Sequence, residues 1–149
     1  MKYTEKISNK LNELLEKNYD AEKGYLNAAE NVDNPKLKIF FKKRASERSQ
    51  FAKELRTEIL SYGQIPEDNG TLKGAAHRNW MTLKSLFSSN DEEAILEETI
   101  RGERTSLEEY TEILDKDNEF APSTRKMIEM QKQKIQGAVN LLMVKEELA

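Results

Sequence analysis

The stretch ISNKLNELLEKNYDAEKGYLNAAENV, residues 7–32, decides the fold class of this 149-residue chain. Its core-type positions recur at steps of three and four, which places them on one side of a helix because an α-helix has 3.6 residues per turn. These positions are Ile7, Leu11, Leu14, Asn18, Ala21, Tyr25, Ala28 and Val32. We therefore predict a first helix over about residues 3–32, with Asn18 as a polar member of its otherwise apolar side.

Three further helices are predicted from the same spacing and from start and stop signals. The pair Asn34-Pro35 begins the second helix, because asparagine suits the N-cap and proline suits the first helical position. Gly63 ends it, since glycine readily takes the left-handed conformation that closes a helix. The predicted ranges of the three helices are about 35–62, 91–115 and 123–148.

The segment between the second and third helices, residues 63–90, is too long for a tight turn. Its turn residues surround a short helical pattern over about residues 72–87, and the segment is long enough to travel the length of a bundle. The other two connections are only a few residues and predict antiparallel hairpins. The sequence thus predicts a single all-α domain over residues 1–149, a ferritin-like four-helix bundle with a long crossover that contains an extra short helix.

Charge and composition argue against several classes of protein, namely nucleic-acid-binding, disulfide-bonded and membrane-spanning proteins. With 24 basic and 27 acidic residues, the chain lacks the basic excess that attracts nucleic acid. The absence of cysteine excludes disulfides and thiolate chemistry. The longest apolar run, residues 141–144, falls far short of the roughly 20 residues of a membrane span, and the N-terminus has no apolar signal core. We expect a cytoplasmic protein with no membrane or nucleic-acid partner. A homo-oligomer is compatible with the sequence, which indicates no particular protein partner.

A polar residue interrupts each predicted apolar side near the middle of its helix. These residues are Asn18, Glu47, Glu103 and Gln131, and they should lie at similar heights in the bundle. A buried carboxylate is unfavourable without a partner, so the layer must be hydrogen-bonded, paired with Arg44 or Arg48, or coordinated to a cation. Three interpretations follow: a structural layer that fixes helix register, metal binding through Glu47 and Glu103, or an apolar side that differs from the predicted one, so that Glu103 or Glu47 points to solvent.

Histidine is too scarce for an ordinary di-iron bundle, which takes a Glu-x-x-His pair from each of two helices. The single histidine, His77, lies in the predicted crossover beside Arg78 and on the same helical side as Trp80. We expect this crossover motif to be packed or hydrogen-bonded.

Three blocks of sequence carry a family resemblance. They are Asp20-x-x-x-Gly24-Tyr25-x-x-Ala28-Ala29-Glu30, Gly70-Thr71-Leu72-x-Gly74-Ala75-x-His77-Arg78-x-Trp80-Met81-x-Leu83-Lys84 and Ile95-Leu96-Glu97-Glu98-x-x-Arg101-Gly102-Glu103. Together they cover about residues 6–116 and resemble the small bacterial ferritin-like proteins of unknown function (domain of unknown function 2383), which are distantly similar to rubrerythrin and ferritin. The resemblance implies the four-helix fold and an association with stress response, and it implies no established reaction.

The resemblance also bears on a metal site. The run from Glu47 to Gln50 looks like the Glu-x-x-His of ferritin-like di-iron helices, with glutamine in place of histidine. Asn18 falls where rubrerythrin-like helices carry a ligand glutamate, and an amide binds such cations less well than a carboxylate. This pattern is typical of a degenerate di-iron site, in which Glu47, Gln50 and Glu103 would hold a single iron or manganese ion.

From these observations we expect a non-enzymatic, stress-related bundle protein with no catalytic residues, no cofactor and a mainly structural polar layer. One alternative is a ferritin-like metal-binding oxidase or storage protein with the degenerate site. The other is an adaptor that binds a protein partner through an exposed helix face.

Overall fold

The computed structural model describes residues 2–68, 92–116 and 119–148, with side chains as far as residue 144. These residues form four α-helices and contain no strand. The helices are α1 (Tyr3–Asn31), α2 (Pro35–Ser61), α3 (Glu92–Lys116) and α4 (Pro122–Leu148). The prediction of an all-α four-helix chain is confirmed, and each helix begins and ends within one residue of its predicted range. The predicted short helix over residues 72–87, with His77, Arg78 and Trp80, lies outside the described residues.

The start and end of α2 show how the sequence sets helix boundaries. The Asn34 side-chain oxygen accepts hydrogen bonds from the amides of Lys36 at 2.9 Å and Leu37 at 3.4 Å. Two amides that have no partner inside the helix are thereby satisfied. After the helix, Gly63 has a φ of 76°, a left-handed conformation that glycine takes without a steric penalty.

Contacts at the two ends of the bundle fix the helix directions. The Asn34 amide donates to the Glu92 carboxylate at 3.1 Å, so α2 and α3 begin at the same end. The hydroxyls of Tyr62 and Thr124 are 2.8 Å apart, so α4 begins where α2 ends. Hence α2 and α3 run parallel, and each is about 40 Å long. These are the directions of a bundle with one long crossover.

The helices pack so that α1 and α4 each contact both α2 and α3. Their apolar side chains form two separate buried clusters, one nearer the α1–α2 turn and one nearer the α3–α4 turn. On α1 the division falls between Tyr19 and Ala21, and on α2 between Ala45 and Phe51. The buried polar side chains Asn18, Arg48 and Glu103 lie at this division.

The Asn34 cap is expected to stabilise the fold measurably. Replacement of Asn34 with alanine removes the acceptor for two helix amides, so the free energy of unfolding should fall by about 1 kcal/mol in urea denaturation. The control is Gln133→Ala, an exposed amide in α4, which should change it by less than about 0.5 kcal/mol. Equal effects of the two substitutions would contradict the capping role.

Candidate functional site

The centre of the bundle contains a buried arginine. Arg48 on α2 is 2% exposed and is the largest fully buried side chain among the described residues. Its guanidinium donates to the Asn18 side-chain oxygen on α1 at 2.7 Å and forms an ion pair with the Glu103 carboxylate on α3. Glu103 is 1% exposed. A positive and a negative charge, both removed from water, therefore join three helices at mid-height.

Helix α2 points Arg48 inward because of its spacing. Arg48 follows Ala45 by three residues and precedes Ala52 by four, and all three side chains are buried. The same row of the helix continues through Phe41, Leu55 and Ile59. An arginine thus occupies a core position of an otherwise apolar row, where it can be accommodated only if its charge and its donors find partners.

The network continues from Asn18 to the fourth helix. The Asn18 amide nitrogen donates to the Leu14 carbonyl at 2.8 Å and to the Tyr110 hydroxyl at 3.0 Å. Tyr110 in turn donates to the Gln131 side-chain oxygen at 2.7 Å. The Gln131 nitrogen then donates to the Glu54 carboxylate at 3.0 Å. All four helices are thereby joined by one directed chain of hydrogen bonds, and such a chain fixes their relative register.

Burial and the neighbouring charges set the protonation of this site. Burial alone would lower the pKa of Arg48, but the Glu103 carboxylate raises it above its ordinary value, so the guanidinium stays charged. Burial, together with the Glu103 charge, raises the pKa of Tyr25 well above 10.0. Burial likewise raises the pKa of Tyr110 to about 12. Both phenols are therefore neutral at physiological pH, and Tyr110 keeps the proton that it donates to Gln131.

The sequence predicted Glu47 as the inward polar residue of α2, but in the structure its neighbour Arg48 is the buried one. Glu47 was expected in the polar layer, but its side chain is 24% exposed and pairs with Arg44 on the same helix at 3.0 Å. Burial raises the pKa of Glu47. Gln50 is exposed. The structure therefore brings Asn18, Glu103 and Gln131 into one network, and it leaves Glu47 and Gln50 outside.

The structure contains one of the pairings that the sequence allowed for a buried carboxylate, that of Glu103 with Arg48. The sequence did not predict that Arg48 itself lies in the layer or that Tyr110 links Asn18 to Gln131. The available signal was the row from Ala45 through Arg48 to Ala52, which places an arginine among small core residues. A charged residue in such a row indicates an opposite charge on a facing helix.

The donor set of the layer does not fit an iron or manganese site. Its buried carboxylate, Glu103, is already bonded to a guanidinium, which has no lone pair to offer and which repels a second cation. Within residues 2–68, 92–116 and 119–148, no three Asp, Glu, His or Cys side chains form a group that could hold a metal ion. Of the residues predicted for that role, Glu47 is paired with Arg44 and Gln50 is exposed, while Glu103 is buried in the layer.

The outer end of the network reaches a surface groove between α2 and α4. The groove has a volume of about 470 Å³, and Glu54 and Gln131 lie in its wall. Lys53, Lys126 and Lys134 also line it. Solvent can therefore approach the Glu54 end of the chain of hydrogen bonds, while Arg48 and Glu103 remain inside.

The Arg48–Glu103 pair should behave as one unit in a double-mutant cycle. Arg48→Met leaves the Glu103 charge buried without a partner, so the free energy of unfolding should fall by about 3–5 kcal/mol. The double variant Arg48→Met/Glu103→Leu should lose much less than the sum of the two single variants. Both are measured by urea denaturation.

The matched control for this cycle is Arg44→Met, which removes the half-buried Arg44–Glu47 pair on the same helix. It should change stability by about 1 kcal/mol or less, because water already screens that pair. Additive single effects at Arg48 and Glu103 would contradict a coupled buried pair.

Alkaline pH should destabilise the fold through the buried phenols. Because the folded-state pKa of Tyr110 is raised, its contribution is fully present below the unfolded pKa of 10.0 and is lost as the pH rises towards about 12. Each raised tyrosine contributes a slope of about 1.4 kcal/mol per pH unit in this range. The measurement is the free energy of unfolding against pH for wild type and Tyr110→Phe, which should show a shallower alkaline loss. Equal slopes for wild type and Tyr110→Phe would refute the assignment.

Comparison with known proteins places the chain in a family. The family model described as Domain of unknown function (DUF2383) matches residues 6–116. A search of curated proteins finds no match. No helix within the described residues is long and apolar enough to cross a membrane. The matched range includes Asn18, Arg48, Glu103 and Tyr110 and covers more than half of the 149 residues, so the predicted resemblance to the family of domain of unknown function 2383 is confirmed. The chain belongs to the family described as Domain of unknown function (DUF2383).

Proposed function

We propose that this protein is a non-enzymatic, ferritin-like four-helix bundle in which an arginine-centred network stands where metal-binding bundles place their ions. The protein would act by contact with other molecules, in the cytoplasm and in connection with stress, without redox or hydrolytic chemistry of its own. Sequence blocks similar to ferritin-like proteins support the family relationship. The parallel directions of α2 and α3 support the one-crossover topology.

The observation that carries the proposal is the Arg48 guanidinium between Asn18 and Glu103. A positively charged side chain at the bundle centre neutralises the one carboxylate that α3 supplies to the layer. An ion pair whose members are bonded to each other offers no free acid, base or metal ligand to a substrate. The layer is therefore suited to holding four helices in register, and we assign it that role.

A metal-binding function is the second candidate, and one observation favours it. Glu47 lies near enough to Glu103 for the Glu103 charge to contribute to the raised pKa of Glu47. Two carboxylates that repel each other can be stabilised by a shared cation. Such a site would require Arg48 to leave Glu103, so metal binding and the observed network compete for the same carboxylate.

Metal analysis separates the two candidates. The protein is produced in medium supplemented with iron and manganese, purified without chelators and analysed by mass spectrometry of its metals. We expect far less than one ion per chain, because Arg48 already neutralises Glu103. The control is Glu103→Ala, which should contain the same trace amount. A stoichiometric iron or manganese ion in the wild type that is lost in Glu103→Ala would overturn the proposal and favour the ferritin-like metal protein.

A further inference from the structure

Helix α4 carries a row of exposed, mostly apolar residues on the side that faces away from the core. Met130 is 50% exposed, Leu141 is 49% exposed and Val144 is 54% exposed. Lys134 and Gly137 complete the row and are also exposed. Exposed apolar side chains that follow one another along a helix mark an interaction surface more often than isolated ones do. We call these five residues the α4 seam.

The spacing of the α4 seam is that of a helix that packs against another helix. Its members follow one another by four, three, four and three residues, which is the heptad repeat of a coiled-coil contact. The seam extends for about 21 Å along the helix axis, or four turns. This spacing favours a helical partner over an irregular peptide.

The charge pattern of α4 favours a second copy of this chain as that partner. Residues 135–144 contain no charged side chain, although charged residues make up 34% of the sequence. The centres of protein interfaces are likewise depleted of charge. From Gly137 to Val144 the seam carries no charge, so two copies can pack there without bringing like charges together.

The shape of the seam favours antiparallel packing. A Cβ atom placed on Gly137 would meet nothing within 4 Å, so the space above this residue is open. In an antiparallel pair of α4 helices, Leu141 of each copy can fill the space above Gly137 of the other, and Lys134 lies beside Val144. In a parallel pair, Lys134 would face Lys134 of the second copy, and like charges at such a position are unfavourable.

We propose that α4 is a homodimer interface, in which the α4 seams of two copies pack antiparallel with Leu141 of each copy above Gly137 of the other. The inference does not depend on the proposed function, since a bundle with or without a metal ion could dimerise through its outer surface. It assigns the exposed apolar side chains of α4 to a second copy of the chain.

The first test compares two substitutions of exposed leucines. Leu141→Glu places a charge in the middle of the seam, while Leu60→Glu makes the same change on α2 at a side chain that is 58% exposed. Sedimentation equilibrium over a range of concentrations should give a dimer for wild type and Leu60→Glu. Leu141→Glu should weaken dimerisation by at least about 10-fold, with an unchanged helix content by circular dichroism, because its side chain lies outside the core. A wild type that stays monomeric, or a Leu141→Glu dimer as tight as wild type, would overturn the proposal.

The second test uses the absence of cysteine, which makes any introduced thiol unique. Gly137→Cys and Leu141→Cys chains are mixed and oxidised, and the disulfide-linked pairs are identified by mass spectrometry. We expect the mixed 137–141 pair to exceed each identical pair by well more than the ratio that random pairing of the two chains gives, since a disulfide requires Cα atoms within about 7 Å. Proportions at or below the random ratio would overturn antiparallel packing. Cross-linking no faster than that of a Leu60→Cys control would overturn the interface itself, even if Leu141→Glu failed to fold.

Discussion

The buried ion pair between Arg48 and Glu103 is the interaction on which the rest of the bundle depends. Two charges inside a protein are tolerated only when each finds its partner and the remaining donors and acceptors are also bonded. Here the guanidinium bonds to both Glu103 and Asn18, and the Asn18 side-chain nitrogen donates a hydrogen bond to the Tyr110 hydroxyl. A shift of any one helix along its axis would break this arrangement, whereas two purely apolar clusters could slide past each other at lower cost.

The layer also explains why the core is divided. Apolar clusters lie on either side of it. Because apolar contacts are not directional, they hold the helices together without choosing one alignment. The polar layer between them supplies that choice. The stability of the bundle and the alignment of its helices thus come from different parts of the same interior.

Much of the fold could be predicted from the sequence, and the reason is the length of its periodic stretches. The row that begins at Ile7 and the cap at Asn34 give helix identity and boundaries without knowledge of the partners. The residues at the centre of the site were harder to predict. Adjacent residues of a helix point about 100° apart, and α2 has apolar residues in neighbouring pairs such as Phe40-Phe41 and Phe51-Ala52. The apolar pattern of α2 therefore allows two rotations of the helix about its axis, one with Glu47 inward and one with Arg48 inward. Contacts with the facing helices select the rotation that buries Arg48. The crossover residues His77, Arg78 and Trp80 lie outside the described residues, so the roles predicted for them remain predictions.

The most direct measurement is the electron density at mid-bundle in crystals of protein that was purified without chelators and grown with manganese or iron. We expect continuous contacts from Glu103 through Arg48 and Asn18 to Tyr110, with no ion between them. Density for a metal ion coordinated by Glu103, with Arg48 turned away from the centre, would contradict the claim that this buried ion pair organises the bundle.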